Sequence, residues 1–398
     1  MRQVSTLKSA LLPVVSRIRS AAAEPTVRKS LALQAPLPAK IPFVVYFSDA
    51  PQGLYQLEQW IQPLSELSRA AGPVVLLVAN SLTALKLRKV TDMPIVLATS
   101  SAAIEGLVAQ HLVDVVFYVN NNQANFTTLR INGPAHVHLS HGESEKSSMT
   151  SNQLKAYDYC FIAGQASKDR IVATIPRFDA TKLVHIGRPQ LDTAEAKVPT
   201  APTEGQPVSV LYAPTWEGDS PTMAYGSLAQ LGANLASLVL EDPRFRLVYR
   251  PHPKLGSLSQ EHRSADRKLR DAIKLRSHPH SLQSPLLDEN VNPVDSINQA
   301  DLVVTDVSAM AMDAIGLSKR TLILVPAAVP DSLTRDSEML QATSHWRALP
   351  AQPLEQLLRL ASSELTEAQR YFRSRVFGSE VLGTGTERFI SASLQLLG

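Results

Sequence analysis

The sequence predicts an α/β protein of two domains, each a parallel sheet doubly wound with helices on both faces. Three observations carry that expectation. Short runs rich in valine and isoleucine alternate with longer helical stretches along most of the chain. The runs are continuously apolar, the pattern of strands buried on both faces. The alternation breaks once, at a proline-rich stretch near residue 200, and then resumes. A chain of 398 residues, 44% hydrophobic and 19% charged, has an ordinary globular composition, and its length favours two domains over one.

Residues 1–40 stand apart. They hold seven basic residues (Arg2, Lys8, Arg17, Arg19, Arg28, Lys29, Lys40) against Glu24 alone, so the net charge of +3 belongs to this segment. The remaining 358 residues carry a net −3, which argues against nucleic acid as a partner. Val4, Leu7, Leu11, Val14 or Val15 and Ile18 recur at three- and four-residue spacing, reading as a basic amphipathic helix interrupted at Pro13. Such a helix either lies on an anionic membrane surface or packs on its own domain. The apolar run around Pro13 is too short for a signal peptide, and no stretch reaches the roughly 18 to 20 apolar residues that span a bilayer.

The first domain, residues 41–194, places strands at Phe43–Phe47, Val74–Val78, Ile95–Ala98, Val113–Val119, His136–Leu139, Tyr159–Ala163 and Leu183–Ile186. A helix over Leu54–Ala70 is typical of those between them, with Leu57, Trp60, Ile61, Leu64 and Leu67 on one stripe. Residues 195–207, within a stretch of three prolines and almost no large apolar side chain, form the linker. The second domain, residues 208–398, has strands at Val208–Tyr212, Phe245–Tyr249, Leu302–Thr305 and Leu322–Val325, and helices near Gly226–Leu240, Arg263–Leu275 and from Ala309. The last helical segment, Glu387–Leu397, is placed to cross back over the first domain. Both halves are Rossmann-like, and a ligand is expected at the carboxyl ends of their strands.

Those ends are rich in chemistry. His141 follows the strand His136–Leu139 beside Gly142, where a histidine can take a proton from an attacking hydroxyl; Ser144 and Lys146 offer hydrogen bonds and charge to a phosphate. The run His136, His138, His141 has three histidines, but His141 lies beyond the strand and no carboxylate is fixed beside them, so no metal is expected. A lone cysteine, Cys160, excludes disulfides and cysteine metal clusters, suits a reducing compartment, and reads as a small core residue. Arg250, His252 and Lys254 follow Phe245–Tyr249 in a turn stiffened by Pro251 and Pro253, where they balance a pyrophosphate or form an exposed basic turn. After Leu302–Thr305, Thr305, Ser308 and a helix N-terminus can hold phosphate oxygens. Asp306 and Asp313 can accept from ribose hydroxyls, although Asp306 also suits a helix cap. Thr215 and Trp216 offer a hydroxyl and an aromatic face, or a surface loop. Arg188, just before the linker, reads as a ligand for the donor or as one half of a hinge salt bridge.

Taken in order from His138 to Asp313, these segments resemble the CDP-glycerol glycerophosphotransferase family, the teichoic-acid polymerases and primases of glycosyltransferase-B fold. The resemblance rests on His141-Gly142 with Lys146, Gly187-Arg188-Pro189 with Asp192, Tyr212-Ala213-Pro214-Thr215-Trp216, Arg250-Pro251-His252-Pro253, and Thr305-Asp306-Val307-Ser308 with Asp313. It implies that His141 activates an acceptor hydroxyl, that His252 and Arg250 stabilise the pyrophosphate of a CDP-linked donor, that Thr305 and Ser308 hold phosphate, and that Asp313 holds the ribose. The implied donor is CDP-glycerol or another CDP-alditol. The implied acceptor is a lipid-linked or polymeric hydroxyl in wall or capsule synthesis at the cytoplasmic face of the membrane, with CMP released. No cofactor is fixed, and assistance by Mg2+ is left open. A glycosyltransferase or UDP-sugar epimerase of the same fold, using the same Ser308 and Asp313, is the alternative, and a non-catalytic nucleotide-binding protein a third reading. The chain departs from the family pattern at Glu143-Ser144-Glu145 and at Glu217, two acidic substitutions expected to face the donor or acceptor.

Overall fold

Each apolar run becomes a strand. In the computed structural model, which describes residues 18–192, 205–220, 223–278, 281, 283–289, 292–378 and 383–398, seven strands form the first sheet: β1 (Phe43–Phe47), β2 (Val74–Val78), β3 (Ile95–Leu97), β4 (Val115–Tyr118), β5 (Ala135–His138), β6 (Tyr159–Ile162) and β7 (Leu183–His185). Their spatial order is β3-β2-β1-β4-β5-β6-β7, every pair parallel. Successive residues of β1 feed opposite cores. Phe43, Val45 and Phe47 pack on one face, Val44 and Tyr46 on the other, so an unbroken apolar run is what a two-sided sheet requires.

The second sheet holds β8 (Val208–Ala213), β9 (Phe245–Tyr249), β10 (Leu286–Leu287), β11 (Leu302–Thr305), β12 (Thr321–Leu324) and β13 (Ser344–Trp346), in the order β10-β9-β8-β11-β12-β13, again all parallel. Leu211 and Ala213 pack on one face while Val210 and Tyr212 pack on the other. β10 and β13 add two edge strands beyond the four expected.

The helix expected over Leu54–Ala70 is two, Tyr55–Glu58 and Ile61–Ala71. The break has a covalent cause. Pro63 has no N–H to give the Gln59 carbonyl, and its ring would clash there, so a helix can only restart with the proline in its first turn. The helix Ala233–Glu241 is entered through a π-helical turn, Leu228–Gly232. A Cβ on Gly232 would fall on the Tyr212 hydroxyl, so only glycine fits.

Residues 18–31 form a helix that packs on the first domain. Val27 is buried in its core and Ser20 Oγ accepts from Ser81 N at 2.9 Å, while Ile18 stays exposed. The rest of the amphipathic segment, residues 1–17, and most of the linker lie outside the described residues. No helix among the described residues is long and apolar enough to cross a membrane. The helix Gly385–Leu394 returns to the first sheet, where the fully buried Phe389 packs against Trp60, Phe117 and Phe161. Asp192 fixes the start of that helix by accepting from Gly383 N and Thr386 N.

Candidate active site

In both sheets the strand order reverses between the first strand and its later neighbour, β1 with β4 and β8 with β11, which opens a crevice at their carboxyl ends. The segments after β1, β5, β8, β9 and β11 meet there. The turn after β5 is held from below: Trp60 Nε1 donates to Ser140 O at 2.6 Å, and Ser140 takes a left-handed φ of 60°, rare for a residue with a side chain. From the other half, Ala309 at the start of the helix Ala309–Gly316 presses on the same turn. A Cβ on Gly142 would stand 2.8 Å from the Ala309 methyl, so glycine here lets the two domains touch.

His141 and His252, one from each half, converge on one ring. Tyr55 lies edge-on to both, with ring centroids 6.0 Å from His141 and 5.3 Å from His252. Trp216 stacks on His252 at 6.4 Å, and Lys254 sits over Trp216 at 5.3 Å. The backbone N–H of Lys254 donates to His252 Nδ1 at 3.0 Å, so a neutral His252 carries its proton on Nε2 and presents a donor. Burial, then Lys146, Lys254 and His141, push His252 well below the usual histidine range. His141 is pulled down to about 4, by burial first and then by Arg188, Lys254 and Lys146, opposed by a hydrogen bond to the Val119 backbone. Its Nδ1 is buried without a partner. Both rings are therefore uncharged near neutral pH, inside a cluster of cations.

Lys146 is part of that cluster. Its Nζ donates to Thr215 Oγ1 at 2.9 Å and lies 5.5 Å from the Tyr225 ring centre. Burial lowers it to about 8, with Asp306 opposing. Asp306, fully buried, is raised to about 7 by burial despite accepting from Thr215 N at 2.7 Å and Ser227 N at 3.3 Å. Through Oδ2 it ties the end of β11 to the loop after β8 and does not cap the helix, while its Oδ1 is buried without a hydrogen-bond partner.

The other expected residues have these partners. Arg188 Nε and Nη2 donate to the two oxygens of Asp313 at 2.9 and 3.3 Å, both side chains being 6% exposed. The hinge salt bridge is what the structure shows, and both Asp313 oxygens are taken by Arg188 instead of facing a ribose. Arg250 pairs with Asp288 at 2.6 Å, at the end of β10. Thr305 Oγ1, fully buried, donates to Ala213 O at 2.7 Å and lies 3.2 Å from Ser308 Oγ. Ser308 is the N-cap of the helix Ala309–Gly316 yet makes no capping bond with its side chain. Ser144 is buried, its Oγ 3.5 Å from Lys146 N.

The acidic departures are tied to protein groups, and Glu143 also lines a cavity beneath the His141 turn. Glu143 accepts from Ser167 Oγ and pairs with Arg170. Glu145 crosses to the second domain, bonding Ser337 Oγ and Met339 N. Glu217 gathers the backbone N–H groups of Gly256, Leu258 and Ser259, fixing the loop after His252.

Tyr55 was invisible as a motif, as were Asp49, Asn120 and Asn122, which bond one another after β1 and β4. Their one signal was position, since they too follow strands that end at the crevice. His136 uses both ring nitrogens, on Tyr118 Oη and Ile131 O, and no three His, Cys, Asp or Glu among the described residues converge on a metal position.

The sequence profile of CDP-glycerol:poly(glycerophosphate) glycerophosphotransferase matches residues 114–327. No curated protein matches the chain. Among solved structures, the chain resembles the wall teichoic acid polymerase TagF at 14% identity, with 98% of this chain and 96% of that one covered and a TM-score of 0.52. It also resembles the UDP-GlcNAc 2-epimerase from Neisseria meningitidis bound to UDP-GlcNAc (12% identity, 89% and 100% covered, TM-score 0.54) and a glycosyltransferase from Rickettsia africae (12%, 90% and 99%, 0.53). At these identities the likeness is one of fold.

Proposed function

We propose, for a chain that belongs to the CDP-glycerol:poly(glycerophosphate) glycerophosphotransferase family and has two Rossmann-like domains of glycosyltransferase-B type, that it transfers a glycerol phosphate or related polyol phosphate from a CDP-linked donor to an acceptor hydroxyl. The observation that carries this is the convergence of His141 and His252 on Tyr55. The acceptor oxygen attacks the phosphorus that bears the alditol, the bond from that phosphorus to the bridging oxygen breaks, and CMP leaves with the electron pair. His141 Nδ1 receives the hydroxyl proton. His252 Nε2–H, Lys254, Lys146 and the Ser308 hydroxyl at the helix N-terminus stabilise charge on the diphosphate, with Arg250 behind them and Trp216 and Thr215 lining the donor side. Asp313 is turned to Arg188 and Asp306 Oδ2 to two backbone amides, and the charge on the diphosphate falls to His252, Lys254, Lys146 and Ser308.

The free protein holds His141 too acidic to be an effective base, by burial first and then by nearby cations, of which Lys254 and Lys146 are the ones a diphosphate would neutralise. Donor binding therefore restores the base it needs. A single negative charge about 6 Å away, at an effective dielectric of about 20, is worth about 2.8 kcal/mol, or about two pH units. Ser144 with Lys146 stands on the acceptor side, and the acceptor is lipid-linked or polymeric, which suits contact of residues 1–40 with the cytoplasmic surface of a membrane.

The test is release of CMP from CDP-glycerol with and without acceptor. His141→Ala and His252→Ala should abolish it in folded protein, and normal turnover in either would remove the assignment. A thermal-shift preference for UDP over CDP compounds would instead support the sugar-nucleotide alternative.

A further inference from the structure

Beneath the His141 turn lies a second, small cavity, at the carboxyl ends of β5, β6 and β7, with about 40 Å3 of space open to a water-sized molecule. Ser140 and Gly142 line it, so it begins where the histidine's own neighbours end. Its apolar wall includes Leu139, Leu154, Phe161 and Ile186. Four of its lining side chains hold a buried polar atom with no hydrogen-bond partner: Asn121 Oδ1, His138 Nε2, Arg170 Nε and Gln190 Nε2. His138 is 4% exposed, and burial, then His141, pull it down to about 3, so its ring is neutral. Buried polar atoms are ordinarily satisfied, and four unsatisfied ones around a single space ask for a ligand that completes them.

The chemistry of that ligand can be narrowed. The two cations at the cavity are already matched, Arg170 by Glu143 and Arg188 by Asp313, so no positive charge is left over for a phosphate. What remains is one acceptor, Asn121 Oδ1, two donors on Gln190 and Arg170, and an imidazole nitrogen. A hydroxyl both donates and accepts, and the carbon edge of a polyol suits the apolar wall. Resting on the transfer reading above, we propose that this cavity is a subsite for a neutral polyhydroxylated segment of the acceptor, which it holds beside His141 so that an adjoining hydroxyl reaches the base.

The subsite can be tested by saturation-transfer NMR on the full chain with glycerol, erythritol or ribitol as probe, and with inorganic phosphate as competitor. Wild-type protein should show alditol signals that phosphate does not displace. His138→Phe and Asn121→Leu should lose them. His138→Phe removes an unsatisfied buried polar atom and should not lower Tm; Asn121→Leu also gives up an exposed bond to Ser148 O and should lower it only slightly, and the CDP thermal shift should persist in both. In the transfer assay both variants should raise the acceptor KM at least tenfold with kcat little changed, the pattern of lost ground-state binding. Alditol signals that persist in both folded variants, or absent from wild type at tens of millimolar, overturn the subsite. Failure of CDP to bind while alditol signals behave as stated instead removes the transfer reading and leaves the polyol site standing.

Discussion

Replacing Arg188 by methionine should destabilise the protein by about 3–5 kcal/mol. Arg188 holds Asp313 by two bonds of 2.9 and 3.3 Å with both side chains 6% exposed, so methionine leaves a carboxylate buried without its cation. Charge centres about 4 Å apart at an effective dielectric of about 20 interact by about 4 kcal/mol, in agreement with that range. Asp313→Asn should cost less, because Arg188 keeps Gln190, Gln59 and the His141 carbonyl as acceptors. The double variant Arg188→Met/Asp313→Leu removes both charges and should recover at least about 2 kcal/mol relative to Arg188→Met alone. Urea unfolding followed by fluorescence and circular dichroism of wild type, Arg188→Met, Asp313→Leu and the double variant gives all four corners of this cycle. A loss below about 1 kcal/mol for Arg188→Met, or simple additivity in the double variant, would refute the idea that this pair is a desolvated lock between the domains.

Three further outcomes follow from named contacts. As a base, His141 works deprotonated, so activity falls as pH drops through its pKa: the acid limb of kcat/KM, which reports free protein, should lie near pH 4, and that of kcat about two pH units higher; coincident limbs would count against donor-induced activation. Burial alone would raise Glu217, but the backbone amides of Ser259, Leu258 and Gly256 outweigh it and hold it below its usual 4.5. Glu217→Gln should therefore cost about 1–2 kcal/mol at pH 7, with the difference from wild type fading as pH falls below about 4.5, as denaturation at several pH values would show. Gly232→Ala should lower stability by about 1–3 kcal/mol by driving a methyl into the Tyr212 hydroxyl, and Tyr212→Phe should restore part of it; a neutral Gly232→Ala would mean the turn has room to move.

The strands were legible because burial on both faces leaves no alternation to misread: β1, β2 and β9 coincide with their apolar runs. The two edge strands of the second sheet were not. β10 is two residues long and β13 is Ser-His-Trp, since an edge strand has one neighbour and needs no apolar run. Pro63 did announce the helix break, but the apolar stripe from Leu54 to Leu67 runs across it and masks the punctuation. In the site, residue types and strand-end positions could be read, whereas partners could not. Arg188 finds Asp313 across 125 positions, and Glu217 finds amides some forty residues away, so whether a carboxylate holds a ligand or the protein was a matter of tertiary placement. Tyr55 belongs to no motif and was brought to the histidines by the fold alone.

The return of Phe389 to the first sheet bears on how the chain is made. Its neighbours Trp60, Phe117 and Phe161 leave the ribosome more than two hundred residues before it does. Until then the N-terminal half presents an open aromatic socket, so nascent chains and premature-stop fragments should be clients for chaperones and prone to stick together. Supplying Gly385–Leu394 in trans as a peptide would be a direct way to rescue such a fragment.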